Sequence, residues 1–320
     1  MEYGVLVPQG WRLDLVGVPV DQQWQAILQV AARAETAGFG SLWAYDHFHT
    51  VPIPTQESTF ECWSLMAALA GATDSIRLGQ MCTSAPYRTP SLLAKMSSTI
   101  DVISGGRLEV GVGAGWYESE FRGYGYDFLP PADRIRHLRE YVSILKRMWT
   151  EEVVEHAGRF YRLEGAINAP RPLQQPHPRL WIAGGGEEMT LRLVAEHADG
   201  ANFEFSVEVF ERKSRILAEH CERIGRPFDD IACSCHVEIL VAETARALGA
   251  KLDRVCEQRR MAPKDIRARG FVGTLGEIED RLGRLEAAGC DLVIAYFSDA
   301  VWGDGIEIIG SQRMSRTAEP

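Results

Sequence analysis

The sequence has few of the features that mark secreted, metal-binding or membrane proteins. Its seven cysteines are odd in number and include no Cys-x-x-Cys pair, so we expect no zinc or iron–sulfur site. No segment reaches the roughly 18 consecutive apolar residues that suggest a membrane helix. The first residues, Met1–Leu6, lack the basic stretch and apolar core of a secretion signal. These absences favour a cytoplasmic protein with no metal and no membrane partner.

Positive charge is also scarce. The 320 residues include 34 Lys and Arg against 44 Asp and Glu, which gives a formal net charge of -10. Nucleic-acid backbones attract clustered Lys and Arg, so this balance argues against a nucleic-acid partner and still allows a small anionic ligand. With 46% hydrophobic and 24% charged residues, the composition is that of a globular protein large enough to bury its core without staples.

Short apolar runs alternate with longer helical patterns along the whole chain. Strands are predicted near 3–8, 41–47, 76–83, 108–113, 179–184, 200–205, 231–241 and 291–297. Helices are predicted near 21–37, 59–72, 90–103, 132–149, 187–197, 207–224, 243–258 and 275–288. Eight alternating units in this length predict an α/β fold, a (β/α)8 TIM barrel with a closed parallel sheet, formed as one domain over residues 1–320.

One stretch, about 151–178, interrupts the alternation between the predicted fourth helix and fifth strand. Residues 153–162 read as a hairpin that turns at Ala157 and Gly158. Four prolines between positions 170 and 178 then prevent regular strand pairing. The stretch is therefore predicted to be an insertion in the barrel and not a second domain.

Polar residues and glycines follow the predicted strands at the end where such barrels form their active face. Asp46 and His47 end the second strand, and a carboxylate beside an imidazole is typical of proton transfer near neutral pH. A pair that only hydrogen-bonds a loop is the alternative. Gly184, Gly185 and Gly186 precede a helix, where backbone amides can approach a phosphate, although a ligand-free turn would have the same sequence.

Several segments together resemble the luciferase-like monooxygenase superfamily, in particular its branch that uses the deazaflavin coenzyme F420. They are Ala34–His47, Thr73–Gly79, Asp101–Tyr117, Pro170–Pro176, Leu180–Gly186 and Gly273–Ile278. The resemblance implies a (β/α)8 barrel, a homodimer, and a cofactor ring in the barrel mouth. It also implies a non-prolyl cis peptide near Gln80–Cys82, at the back of the ring.

The same resemblance assigns roles to individual residues. His47, with Asp46, would transfer the proton. The cofactor would contact Asp46, Met81, Cys82, Thr83, Ala114, Gly115, Gly185, Gly186 and Glu188. The substrate would lie against Trp11, Trp116, Tyr117 and Phe203.

Two departures separate the chain from the sugar-phosphate dehydrogenases of that branch. Trp116 stands where those enzymes have a catalytic glutamate, and Glu204 and Val207 replace a hydroxyl and a lysine that bind the substrate's phosphate. We therefore expect hydride transfer between F420 and a small apolar or aromatic substrate. An FMN-dependent monooxygenase and a non-catalytic cofactor-binding protein are the alternatives.

Overall fold

The structure, a computed structural model, describes residues 1–317, with side chains through Ser311. The strands are β1 Glu2–Leu6, β2 Ser41–Ala44, β3 Arg77–Gln80, β4 Thr83–Ser84, β5 Leu108–Gly113, β6 Val154–Ala157, β7 Arg162–Ala166, β8 Arg179–Ala183, β9 Gly200–Phe203, β10 Ala232–Ala242, β11 Gly270–Thr274 and β12 Leu292–Phe297. The α-helices are α1 Val20–Thr36, α2 Cys62–Ala72, α3 Pro90–Ile103, α4 Glu118–Gly123, α5 Pro131–Thr150, α6 Thr190–His197, α7 Val207–Ile224, α8 Ala245–Arg259, α9 Pro263–Arg267, α10 Leu275–Ala287 and α11 Gly305–Thr317.

Eight parallel strands close into a barrel, which confirms the predicted fold. Their order is β1, β2, β3, β5, β8, β9, β10 and β12, and β12 pairs back onto β1 with Val293 opposite Tyr3. The short strand β4 follows a break after β3 and pairs with β5. Strand β11, which the sequence patterns did not reveal, pairs with the second half of β10 beyond the end of β9.

Both faces of the barrel strands are buried, and the side chains alternate between them. In β12, Leu292, Ile294 and Tyr296 point into the barrel, where they pack in one core cluster with Trp43 and Trp181. Val293, Ala295 and Phe297 face the surrounding helices and belong to the larger core. This two-sided burial explains why the strands read as continuous apolar runs in the sequence.

The insertion between α5 and β8 forms the predicted hairpin, but its turn lies further along the chain than expected, because the amide of Gly158 still bonds to the carbonyl oxygen of Tyr161 at 2.9 Å. Strands β6 and β7 are antiparallel, and residues 158–161 separate them. The carboxylate of Glu140 in α5 accepts hydrogen bonds from the backbone amides of Arg159, Phe160 and Tyr161. A helix side chain therefore sets this turn, and the predicted two-residue turn at Ala157 and Gly158 is wrong.

No helix within the described residues is long and apolar enough to cross a membrane. The polar strand ends surround one open mouth of the barrel. They lie at the carboxyl side of β1, β2, β4, β5, β8 and β9.

Candidate active site

A cavity of about 420 Å³ opens at the mouth of the barrel. Its wall includes most of the residues that the sequence assigned to the site. These are Trp11, Asp46, His47, Met81, Cys82, Ala114, Gly115, Trp116 and Tyr117. The cavity volume is in the range of small-molecule and cofactor sites.

His47 is fixed by two contacts. Its ring stacks on the ring of Trp11, with centroids 4.1 Å apart and an angle of 3° between the planes. Its Nδ1 donates a hydrogen bond to Oε2 of Glu120 at 2.8 Å. Within the described part of the chain, Nε2 has no such bond, and His47 lines the cavity. The second nitrogen is therefore available to a ligand.

Glu120, in helix α4, is the partner of His47 that the sequence analysis missed. Its buried carboxylate also accepts hydrogen bonds from the amide of Phe48 at 2.6 Å and the hydroxyl of Tyr87 at 2.8 Å. Burial alone would raise the pKa of Glu120, but the hydrogen bonds from His47 and its neighbours outweigh burial and lower that pKa. Glu120 thus remains an anion that orients the imidazole.

Asp46 does not pair with His47, contrary to expectation. Its Oδ2 accepts hydrogen bonds from Nη1 of Arg88 at 2.6 Å and from the amide of Ser84 at 2.9 Å. Burial raises the pKa of the Asp46 carboxyl, and the guanidinium of Arg88 opposes that shift. Successive side chains of an extended segment point in opposite directions, so Asp46 and His47 reach different partners. Arg88 in turn contacts Glu61, the N-cap residue of α2.

Two of the predicted site residues lie elsewhere. Phe203 faces the helix layer, where its ring packs edge-on against Phe210 at 5.5 Å, and its neighbour Asn202 lines the cavity instead. The side chain of Thr83 is fully buried and accepts a hydrogen bond from Nε1 of Trp63 at 3.1 Å. Neither side chain belongs to the cavity wall. The expected non-prolyl cis peptide is present, between Met81 and Cys82.

The floor of the cavity is a cluster of polar side chains. Arg12 lines the cavity, and its Nη1 donates a hydrogen bond to Oε2 of Glu238 at 2.7 Å. Glu238 also accepts hydrogen bonds from Arg259 and from Ser298. Burial would raise the pKa of Glu238, but the two guanidinium groups lower it.

Two further polar side chains, Tyr45 and His236, complete this floor. The hydroxyl of Tyr45 lies 2.8 Å from Nε2 of His236, and Nη2 of Arg12 lies 3.3 Å from the same nitrogen. Burial, together with the charge of Arg12, lowers the pKa of His236 to about 3. His236 is therefore a neutral imidazole at neutral pH.

A second, more open cavity of about 650 Å³ adjoins the mouth. It is called the groove below, and its wall contains the predicted phosphate-binding residues Gly185, Gly186 and Glu188. The two cavities share five lining residues, Ala114, Gly115, Trp116, Ile135 and Thr190. An elongated ligand can therefore occupy both.

Lys213, from helix α7, brings a positive charge to the groove. Its ammonium group contacts the carbonyl oxygen of Gly185 and Oε1 of Glu187, the latter at 2.8 Å. Arg212 pairs with the other oxygen of Glu187 at 2.9 Å. Two cations therefore neutralise the carboxylate of Glu187, which follows the glycine run. No pattern near residues 184–186 pointed to Lys213.

Comparisons with known proteins agree with this fold. Residues 1–309 match the family model for luciferase-like monooxygenases. An FMNH(2)-dependent dimethylsulfone monooxygenase of Pseudomonas putida is 26% identical over 271 residues, covering 75% of this chain and 74% of that protein. An F420-dependent glucose-6-phosphate dehydrogenase of Amycolatopsis mediterranei is 32% identical over 164 residues, covering 50% of this chain and 47% of that protein.

A solved structure shows the same fold at lower sequence identity. The F420-dependent secondary alcohol dehydrogenase in complex with an F420-acetone adduct superposes with a TM-score of 0.81 at 18% identity, covering 97% of each chain. The relatives therefore include both F420-dependent and FMN-dependent enzymes. Because the family model matches nearly the whole length, this chain belongs to the luciferase-like monooxygenase family.

Proposed function

We propose that this protein is an F420-dependent oxidoreductase that transfers a hydride between the deazaflavin and a small organic substrate. The proposal depends on one observation: an imidazole, oriented by the buried carboxylate of Glu120, lines the barrel-mouth cavity, and its Nε2 has no hydrogen-bond partner among the described residues. Hydride transfer to a carbon atom needs a proton donor or acceptor at the same site, and His47 is placed for that role.

The cavity fits a planar ring. Gly113, Ala114, Gly115, Ala183 and Gly184 form one part of its wall, so a ring can approach the backbone there without meeting long side chains. On another part of the wall, the buried Nε1 of Trp11 has no hydrogen-bond acceptor among the described residues. The adjoining groove supplies Lys213 and the glycines for an anionic tail. When bound, the deazaflavin would supply the hydride.

The residues of the chain would perform the remaining steps. Nδ1–H of His47 donates a hydrogen bond to Glu120, which keeps a hydrogen on Nδ1 and leaves Nε2 as the nitrogen that gives or takes the proton. Trp11 stacks on the imidazole and limits its rotation. Trp116 and Tyr117 stack on each other at 5.1 Å on the wall above His47, where they can exclude water from an apolar substrate.

Cofactor choice is tested by titrating the purified apoprotein with F420 and, separately, with FMN. We expect saturable F420 binding that quenches tryptophan fluorescence, and much weaker FMN binding. The fluorescence signal would come from Trp11 and Trp116, which line the ring cavity. Tight FMN binding without F420 binding would replace this proposal with the second one.

The second candidate is a monooxygenase that uses reduced FMN and O2. It is favoured by the dimethylsulfone monooxygenase, which aligns with 75% of this chain against 50% for the F420-dependent dehydrogenase. Fold and ring site alone do not separate the two chemistries. Substrate-dependent O2 consumption with reduced FMN would support this candidate. If no O2 is consumed and the enzyme turns over substrate with F420, the first candidate is supported.

A further inference from the structure

Arg12 is a fixed cation on the cavity wall that the proton transfer by His47 does not use. Its side chain is only 13% exposed, and Glu238 binds one end of the guanidinium. The guanidinium carbon lies 5.2 Å from the ring centroid of Trp11, 5.3 Å from that of Tyr45 and 4.8 Å from that of Tyr296. These contacts hold the group in one place, so its free N–H bonds have a defined direction.

Hydrogen-bond donors outnumber acceptors around this guanidinium. The hydroxyl of Tyr45 and Nη2 of Arg12 both approach the single Nε2 atom of His236. A neutral imidazole nitrogen has either one lone pair or one hydrogen, so it cannot satisfy both donors well. Whichever tautomer His236 adopts, one donor at the cavity wall lacks a good acceptor. A ligand oxygen would correct that shortage.

The charges of the cluster favour a neutral ligand oxygen over a carboxylate. Arg12 and Arg259 face the carboxylates of Glu238 and Asp14, so cations and anions are equal in number. Asp14 is itself bound by the hydroxyl of Tyr296 at 2.9 Å and the amide of Gly10 at 2.6 Å. An added anion would lie near two carboxylates, whereas a carbonyl oxygen accepts the same hydrogen bonds without that repulsion.

The oxygen-binding group and the proton-transfer group are also distinct. Arg12 is anchored to strand β10 in the barrel interior, and His47 is anchored to helix α4 at the rim. Both lie against the ring of Trp11. A simple ketone needs its oxygen bound and protonated at the same atom. In a conjugated carbonyl compound, the proton goes to a carbon atom at a distance from the oxygen, which matches two separate groups.

We propose that the substrate is a small α,β-unsaturated carbonyl compound and that Arg12 is the residue that selects it. This inference rests on the proposed function. A hydride from the reduced deazaflavin adds to the β-carbon, and the C=C π electrons shift to form an enolate. Arg12 stabilises the negative oxygen of that enolate. The α-carbon then takes a proton from Nε2 of His47, which enters the step as the imidazolium and leaves it as the neutral imidazole with its hydrogen on Nδ1. The carbonyl group is restored, so that one C=C bond is reduced and the deazaflavin is oxidised.

The role of Arg12 is tested by binding to the apoprotein, without cofactor or turnover. Saturation-transfer NMR with cyclohex-2-enone, cyclohexene and cyclohex-1-ene-1-carboxylate compares a neutral carbonyl, no oxygen and an anion. We expect the enone to bind most tightly, and Arg12→Met to weaken it roughly tenfold or more. Arg254→Met is the matched control, because Arg254 stacks on Trp302 at 4.1 Å and lines neither cavity.

Arg12→Lys is a second variant, which keeps the test valid if Arg12→Met fails to fold. It retains the charge beside Glu238 and loses the planar donor group. We expect it to remain folded by circular dichroism and to bind the enone more weakly than the wild type. Equal enone binding by wild type and Arg12→Met would overturn the assignment. So would cyclohexene binding as tightly as the enone, or the carboxylate binding more tightly.

Conjugation is tested by the product. The enzyme loaded with reduced F420 should convert cyclohex-2-enone to cyclohexanone, and formation of cyclohex-2-enol would overturn the proposal. Failure of F420 to bind would refute the proposed function alone, because the apoprotein measurements on Arg12 do not depend on the cofactor.

Discussion

Nδ1 of His47 lies 2.8 Å from Oε2 of Glu120, although the two residues are 73 positions apart in the sequence. This contact joins the segment after β2 to helix α4 and holds the imidazole in the wall of the barrel-mouth cavity. The acid–base group of the proposed enzyme is therefore a His–Glu pair and not the sequence-adjacent Asp46 and His47.

Replacing His47 with alanine should remove proton transfer and leave cofactor binding nearly unchanged. We expect kcat to fall by about 10²–10⁴, the usual contribution of a general acid or base. Steady-state kinetics and a cofactor titration of the same preparation measure the two effects. His49→Ala is the control, because His49 lines neither cavity and its Nδ1 lies 3.2 Å from the neighbouring carbonyl oxygen of Thr50. Turnover at the full rate in His47→Ala would contradict the assignment.

Glu120→Gln should change the dependence of stability on pH. The pKa of Glu120 lies below its ordinary value of 4.5, so the ionised carboxylate stabilises the fold above that pH. This stabilisation is lost as the pH falls from the ordinary pKa through the lower folded one. We expect Glu120→Gln to reduce the free energy of unfolding at pH 7 by about 1–3 kcal/mol and to flatten its acid decline.

Urea unfolding at a series of pH values measures this effect. Glu118→Gln serves as the control on the same helix, since Glu118 is 49% exposed and pairs with Arg122 on the surface. Its unfolding curves should follow those of the wild type. If Glu120→Gln gave a curve parallel to the wild type at every pH, the stabilising role of the carboxylate would be wrong.

Removing Arg88 should leave the buried carboxylate of Asp46 without its partner. The side chains of Asp46 and Arg88 are 0% and 9% exposed. Loss of one partner from such a pair costs about 3–5 kcal/mol, so Arg88→Met should lower the free energy of unfolding by about that amount. Arg122→Met, at an exposed pair on α4, should cost at most about 1 kcal/mol. If Arg88→Met and Arg122→Met lowered the free energy of unfolding by similar amounts, the larger contribution expected of the buried Asp46–Arg88 pair would be wrong.

Lys213→Ala should weaken binding of the phosphate-bearing cofactor without affecting the ring. We expect F420 to bind roughly tenfold or more weakly, because a charge-assisted contact in the groove is lost. A deazaflavin that lacks the phosphate tail should bind equally to wild type and variant. Arg192→Ala is the control, since that side chain is 63% exposed and pairs with Glu196.

Calorimetry measures the affinity of wild type and Lys213→Ala for both ligands, F420 and the deazaflavin without the phosphate tail. Equal weakening of both would indicate that Lys213 supports the loop at Gly185 and not the tail. The weakening should also diminish at high salt, because the groove is open to solvent and its charges are screened.

The barrel was predictable because its signals are local. Barrel strands such as β2 and β12 are buried along their whole length, so they read as apolar runs of a few residues, and helices such as α1 and α5 show an amphipathic pattern between the runs. Strand β11 was missed because it lies outside the eight-strand alternation and pairs with the extended end of β10. The hairpin turn was predicted at the wrong residues because its position depends on Glu140, in α5, which accepts hydrogen bonds from the backbone amides of the turn.

The sequence correctly predicted those residues of the cavity wall whose place at the mouth follows from the position of the backbone. Gly113, Ala114 and Gly115 follow β5, and any barrel of this connectivity places them at the mouth. Side-chain direction was predicted less well. Phe203 and Asn202 alternate across β9, and nothing within that short segment indicates which one faces the barrel interior.

The sequence by itself determined the barrel, the end of the barrel at which the site lies, and the presence of His47 there, because strand order and strand ends follow from local patterns. Only the tertiary structure decided the partners. Glu120 binds His47, Arg88 binds Asp46, Lys213 enters the groove, and Arg12 meets Glu238. Each of these contacts joins elements that are distant along the chain, and the packing of the helices against the strand ends brings them together.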